Sequence, residues 1–454
     1  MERHRSGFLK SILTTALLIA AACNQRPPNV IVISLDTVRA DHLSVYGYDR
    51  PTTPNLERLA EEGIVFEEAF TQTPWTVPSH MSVFTSLYPS VHSITNLTPQ
   101  SDMNVMLPEM LQDAGFVTAG FVAPVLSEDY GFAKGFDYYV RADRVRSADT
   151  MVDHALEWLA RDPAAPVLPE KPFFLFLHLF DAHHPYEPPW PFDTAYISRY
   201  RSNIRELSET HPYEQDQHLT DEELAEVVAL YDGEIAYADF ALGRLFDALR
   251  KLGLYEDALI VVFGDHGEGF LEHGLMNHGN SVYEELIHVP LLLRLPGGRS
   301  GGTKIAEPVQ LIDITPTILQ ELGLKPNPKM QGTPLLNPLL PDGSRRFAFV
   351  SEAYASCIRT ETWKAIENPE SRAQTIPRAL DVDYELYDLT DDPGEQTNLA
   401  SEQGERLASM TEVLHRIVQE NQRLRQQVRE ELGVEQIELS EEQERELRAL
   451  GYVQ

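Results

Sequence analysis

The residues able to do chemistry fall where the surrounding sequence marks strand ends and helix starts. Asp36 stands just past the apolar run Val30-Ile31-Val32-Ile33, which reads as a buried parallel strand. Asp265 and His266 follow a second apolar run, 258–263, in the string Gly264-Asp265-His266-Gly267-Glu268. Open α/β sheets keep their sites outside the carboxyl ends of such strands. A histidine there can be a satisfied core residue, but beside an aspartate it is placed to ligate a metal. Thr76 heads Thr76-Val77-Pro78-Ser79-His80. A threonine before a helix is often only an N-cap. Its hydroxyl, activated by a metal, can also attack phosphorus and form a covalent phospho-enzyme. His183, in HLFDAHHPYEPP, and His278, in DHGEGFLEHGLMNHG, carry imidazoles that can hold a phosphate oxygen or protonate a leaving one.

The intervening sequence supplies the elements that must position these groups. Strands are predicted over 29–34, 117–123, 173–179, 258–263 and 290–295, and helices over 55–62, 79–86, 106–114, 148–160 and 221–252. Thr220 with Glu223 forms a capping box for the last of these. Within it Leu224, Val228, Tyr231, Ile235, Ala238, Leu242, Leu245 and Leu249 keep a helical spacing that reads as core contact. Alternating strands and helices predict an α/β fold with a doubly wound, mostly parallel sheet. Residues 188–219 read as an insertion near the site. After Ser300-Gly301-Gly302 a helix is expected from 313 to 322, then a proline-rich connection, 326–341. Strands at 346–351, 363–366 and 384–387 predict a small antiparallel subdomain. The segment 402–448 is charged and helical without sustained heptads, and is expected to lie across the main domain or pair with another chain.

Three segments together resemble the sulfatase family of the alkaline phosphatase superfamily. The family pattern is C-x-P-S-R followed by a short helix and T-G; here the register runs Thr76-Val77-Pro78-Ser79-His80, with Thr85-Ser86 downstream. The string Tyr46-Gly47-Tyr48-x-Arg50-x-Thr52-Thr53-Pro54-Asn55-Leu56 matches sulfatases and related phosphoryl transferases, and ELYDLTDDPGEQTNLA, 385–400, resembles a sulfatase C-terminal subdomain. The resemblance covers 29–400. It implies an alkaline-phosphatase-like fold with a catalytic domain over 29–345 and a C-terminal subdomain over 346–400; the residues outside it read as a lipoprotein signal over 1–22 and a charged helical tail over 401–454.

The same resemblance implies a metal site formed by Asp36, Thr76, Asp265 and His266. Calcium-dependent sulfatases have an Asp-Asp pair and an Asp-Asn pair where this chain has Asp36-Thr37 and Asp265-His266. A hard cation favours six or more oxygens, whereas imidazole suits zinc or manganese; zinc or manganese is therefore expected rather than calcium. The family's nucleophile is a Cys or Ser oxidised to formylglycine. Thr76 carries a methyl on the same carbon and cannot become that aldehyde, so no formylglycine is expected. Bacterial phosphoethanolamine transferases, which use a Thr nucleophile and zinc, have a similar segment around His278. By that likeness His183 and His278 grip the substrate, or join Asp181 around a second metal. His80 replaces the family's Arg beside the nucleophile and is expected to touch substrate without the bidentate fork of a guanidinium. His92, His184, His273 and His288 are expected to be structural or to support the residues that line the site.

Three functions are implied: a metal-dependent hydrolase of a sulfate, phosphate or phosphonate ester acting through Thr76; a transferase of phospho-alcohol groups between envelope lipids or glycans; and an inactive binding lipoprotein. The formal net charge of −33 excludes a nucleic-acid partner, because phosphate backbones require clustered Lys and Arg. Arg3, His4, Arg5 and Lys10 precede an apolar stretch over 12–22, too short for a membrane span. It ends Ile19-Ala20-Ala21-Ala22-Cys23, which resembles a bacterial lipoprotein signal with Ala20 in place of the usual Leu. Export from a bacterial cytoplasm is expected, to the periplasm or cell envelope, held to the membrane by a lipid on Cys23. Plain secretion is the alternative. With Cys23 modified, Cys357 is left unpaired and no disulfide is expected.

Overall fold

The computed structural model describes residues 26–94, 105–142, 147–160, 171–197, 219–337, 339–340, 343–344, 346–352, 355–368 and 382–432. An eight-stranded sheet runs through the centre in the order Thr303–Ile305, Ile64–Phe66, Leu291–Arg294, Leu259–Gly264, Val30–Leu35, Phe173–Leu179, Val117–Val122, Tyr138–Arg141. From Leu259–Gly264 to Tyr138–Arg141 the neighbours are parallel. Leu291–Arg294 is antiparallel to both of its neighbours, so the strand expected over 290–295 exists but turns the sheet's direction at that edge.

Alternation along the strands sorts the core into two layers. Ile31, Ile33, Leu175, Leu177, Ile260 and Val262 belong to the layer beneath helices Ala148–Ala160 and Asp221–Lys251. Val30, Val32, Phe174, Phe176, Val261 and Phe263 belong to the opposite layer, with residues of helices Thr76–Thr85, Leu107–Asp113 and Ile314–Glu321. A fully buried aliphatic or Phe side chain stabilises by about 1.5–3 kcal/mol, so each layer anchors the helices it covers. The Thr220–Glu223 capping box starts the long helix as its sequence predicts.

A smaller antiparallel sheet orders Ala348–Ser351, Ser356–Arg359, Trp363–Glu367 and Tyr384–Asp388; the second of these strands was not predicted. One of its faces packs Phe349, Ile358, Ala365 and Leu386 with Met410, Leu414 and Ile417 of helix Gly404–Leu432. The other packs Val350, Cys357, Ile366 and Tyr387 with Phe70, Val282, Tyr283, Leu286 and Ile287 of the large sheet's domain. The described part of the tail therefore lies along the small sheet. Between the two parts sits Lys364, fully buried, with Nζ 3.1 Å from Glu284 and 2.8 Å from Glu395. Glu395 also accepts the backbone amide of Glu284 at 2.7 Å, and Tyr283 donates to Glu385 at 2.8 Å. Thr73 donates to Glu352, joining the same sheet to the loop before Thr76.

Of the expected insertion, 198–218 lies outside the described residues, as does the signal segment with Cys23. The described beginning of the insertion folds back on the long helix. A Cβ at Gly233 would sit 2.6 Å from the Phe192 carbonyl, which is why a glycine is tolerated in mid-helix. Among the described residues no helix is long and apolar enough to cross a membrane.

Candidate metal centre and nucleophile

Three strands end level with one another. Leu35 pairs with Leu179 on one side and Gly264 on the other, so Asp36, Phe180 and Asp265 emerge as neighbours. Carrying the two-residue alternation past each strand explains why the polar groups converge. Ser34 and Asp36 continue the row of Val30 and Val32; His178 continues that of Phe174 and Phe176; Asp265 continues that of Val261 and Phe263. All of them lie under the helix that carries Thr76. That helix begins at Thr76 itself, with Trp75 as N-cap, rather than near Ser79 as expected. Pro78 falls in its first turn, where a missing N–H costs nothing. Thr76 thus stands at the positive end of the helix dipole, not in the capping position.

Asp36, Asp265 and His266 bring one ligand atom each to within 4.8 Å of one another, and all three are fully buried. Asp265 Oδ1 accepts the amides of Thr37 at 3.0 Å and His266 at 2.8 Å. Its Oδ2 is buried and has no hydrogen-bond partner among the described residues. His266 Nδ1 lies 3.0 Å from the Gly267 carbonyl, to which it donates; this leaves Nε2 as the lone-pair nitrogen, 3.1 Å from Thr76 Oγ1. Burial, and then the neighbouring Asp36, raise the Asp265 carboxyl above its ordinary range. Two buried carboxylates side by side demand a compensating cation. Arg39 does not serve, being committed to Asp41, Glu272 and the Glu268 carbonyl. Two carboxylates, an outward-aimed imidazole lone pair and a hydroxyl therefore fit a divalent metal, and Asp36, Thr76, Asp265 and His266 are brought together.

His178 was not predicted. Its Nε2 donates to Asp36 Oδ2 at 2.9 Å, fully buried, and burial lowers its pKa to about 4. It fixes the carboxylate as a supporting hydrogen bond fixes a metal ligand. With His80 and Asp265 it forms an overlapping second group of ligand atoms.

His80, expected to touch substrate, is fully buried. Its Nδ1 lies 2.8 Å from the Thr76 carbonyl and its Nε2 2.8 Å from Ser34 Oγ. Burial first, then His178, lowers its pKa to about 3, so the ring is neutral. With both ring nitrogens engaged inside the protein, it braces the first helical turn against the sheet instead.

His183 and His278 lie side by side, ring centroids 5.2 Å apart, and His278 is 4.4 Å from the His266 ring. His183 donates Nδ1–H to the His184 carbonyl at 2.8 Å and stacks on Phe180 at 4.3 Å. His278 Nδ1 is 3.0 Å from Glu268, whose other oxygen accepts from Tyr186 at 3.1 Å. Burial pushes Glu268 up to about 8 and holds His278 down to about 4. Trp75 borders this pair, 5.6 Å from the His278 ring. Asp181, the third member of the alternative second metal set, accepts the Ala148 amide at the start of helix Ala148–Ala160. Among the described residues it does not form a ligand group with His183 and His278. His92 bonds Ser82 and the Ile94 amide, His273 bonds Glu285 and stacks on Tyr283, and His288 bonds the Glu67 carbonyl. His184 packs edge-on against Tyr186.

The sulfatase family profile matches residues 28–324, and that of the N-sulphoglucosamine sulphohydrolase C-terminal region matches 271–427. Arylsulfatase K of Mus musculus is 26% identical over 454 residues, covering 86% of this chain and 79% of the relative. The phosphonate monoester hydrolase of Agrobacterium radiobacter superposes with a TM-score of 0.68 at 23% identity, covering 88% of this chain and 96% of that one. The sulfatase yidJ from Bacteroides fragilis, described as putative in its structure, superposes with a TM-score of 0.72 at 19% identity over 89% and 98%. This chain belongs to the sulfatase family. It is an ester hydrolase with an alkaline-phosphatase-like α/β fold, of a family that uses a divalent metal.

Proposed function

We propose that this chain hydrolyses a phosphate or phosphonate ester, with Thr76 as nucleophile. The observation that carries this reading is Thr76 Oγ1 at 3.1 Å from His266 Nε2, on the first residue of a helix and beside two buried carboxylates. A threonine cannot become formylglycine, and its hydroxyl suits direct attack on phosphorus. Asp36, Asp265, His266 and Thr76 would hold a divalent cation, which when bound would acidify the hydroxyl and offset substrate charge. Thr76 gives its hydroxyl proton to His183 or His278 and bonds to phosphorus through Oγ1 as the P–O ester bond breaks; the ester oxygen leaves with its electron pair and takes that proton from the imidazole. Water, giving a proton to the same imidazole, then attacks phosphorus, and the Thr76 oxygen leaves with the bonding electrons and takes that proton, releasing the acid. The helix N-terminus stabilises the anionic oxygens, and His183 and His278 hold those that face them.

Zinc or manganese is favoured over calcium by the imidazole of His266. Thr37 supports this: where the resemblance places a second Asp, its hydroxyl donates to the Asp36 carbonyl at 2.8 Å instead of offering a carboxylate oxygen. A sulfate ester is the second reading, favoured by family membership and by likeness to arylsulfatase K. Metal analysis of purified protein with paired assays on aryl sulfate, phosphate monoester, phosphodiester and phosphonate substrates separates the two. Turnover is expected on a phosphorus ester; activity confined to aryl sulfate overturns the phosphorus assignment.

The substrate's alcohol is placed among small molecules, glycans or lipids of the cell envelope, with the enzyme held to the membrane only by a lipid on Cys23. Labelling cells with a palmitate analogue is expected to tag the mature protein, and Cys23→Ser to abolish the tag. An untagged protein with its N-terminus elsewhere in that region argues for plain secretion.

A further inference from the structure

Thr37, the residue after Asp36, has φ +56°, a left-handed conformation that β-branched side chains disfavour. Three hydrogen bonds hold it there. Its amide donates to Asp265 Oδ1 at 3.0 Å, which ties the Asp36 peptide directly to the second carboxylate. Its Oγ1 donates to the Asp36 carbonyl. Its own carbonyl accepts from the Tyr231 hydroxyl at 2.7 Å, and the same hydroxyl oxygen accepts the Arg39 amide at 3.0 Å. Tyr231 comes from the far side of the sheet, in helix Asp221–Lys251, and is fully buried. His42, Tyr186 and Phe270 surround its ring, with centroids at 5.2, 5.6 and 5.0 Å. One phenol therefore grips the chain on both sides of Val38 from a ring that neighbouring rings hold in place.

We propose that Tyr231 is a positioning residue for the metal centre. By holding Thr37 left-handed it fixes the Thr37 amide on Asp265 and hence the spacing of Asp36 and Asp265 before a cation arrives. Among the described residues its hydroxyl bonds Thr37 and Arg39 and none of the ligand atoms. The proposal rests on the reading that Asp36, Asp265 and His266 hold the cation.

The test measures zinc and manganese affinity of chelator-stripped protein by competition with a chromogenic chelator, beside the melting temperature of the apo-protein. Tyr231→Phe removes one oxygen and keeps the ring. It is expected to weaken zinc binding on the order of tenfold to a hundredfold, the range that supporting residues of metal sites command. Glycine adopts positive φ freely, so in a Thr37→Gly background the same substitution is expected to cost less than about threefold. A merely structural tyrosine would lower stability equally in both backgrounds without that rescue. Wild-type zinc affinity in Tyr231→Phe, or an equal loss in both backgrounds, overturns the proposal. Should Tyr231→Phe alone not fold, the double variant decides: near-wild-type affinity supports it and lost affinity refutes it. Wild-type protein that binds no cation, or His266→Ala that binds as tightly as wild type, refutes the underlying metal reading instead.

Discussion

Thr76→Ala is expected to lower kcat on the order of a thousandfold or more on whichever ester proves to be the substrate. The same variant should keep its fold and most of its metal binding. Thr76 is the first residue of its helix, with Trp75 as the cap, so losing the hydroxyl removes no helix-capping bond. Asp36, Asp265 and His266 remain, the imidazole still oriented by the Gly267 carbonyl. Thr76→Ser keeps a hydroxyl and should retain partial activity. Acid-quenched wild type, analysed by mass spectrometry during turnover of a phosphorus ester, should carry a phosphate adduct on Thr76. Full activity in Thr76→Ala would overturn the mechanism.

The second large effect concerns the cation. His266→Ala should lose bound zinc or manganese, with affinity falling by more than the roughly 10- to 100-fold that supporting residues cost. Two buried carboxylates would then face each other with no imidazole ligand, and burial with mutual repulsion already raises Asp265 in the intact site. Elemental analysis of purified wild type and variant is the measurement. Stoichiometric calcium in fully active wild type would contradict the assignment of an imidazole-favouring metal.

Much of this site was legible because its residues end apolar runs. The strand Phe173–Leu179 and the helix Ala148–Ala160 fall on their predicted bounds, and Asp36 and Asp265 stand at level strand ends. Polar groups embedded in apolar patterns carry no such signal. His178 is the only polar residue of FFLFLHL and disappears into a run that reads as core. Its partner Asp36 is 142 positions away, and only the register of the two strands sets them side by side. A lone histidine one residue from the end of an otherwise apolar strand was the available signal. Tyr231 fits the helical spacing of a core stripe just as well, because its ring does pack in the core; its hydroxyl's role depends on Thr37 and Arg39, whose approach no spacing rule predicts. His80 misled in the opposite sense. Its position beside the nucleophile suggested substrate contact, yet the helix turns its ring towards Ser34 on the sheet. The short strands Ile64–Phe66, Thr303–Ile305 and Ser356–Arg359 lack the length for a periodic signal.

Lys364 carries an implication for how this enzyme can be recombined. Its ammonium is the counter-charge to Glu284, which sits in the stretch of chain that also bears Asp265, His266 and His278. Cutting away the small sheet would take from Glu284 its Lys364 partner and the Glu395 carboxylate that holds its amide, and would expose Val282, Leu286 and Ile287, a few residues from the reacting groups. The two sheets are consequently one inheritable unit. A chimera that borrows the C-terminal portion of a relative must import matching partners for Glu284 and Thr73, or it will receive a complete set of reacting residues on a frame that no longer holds them.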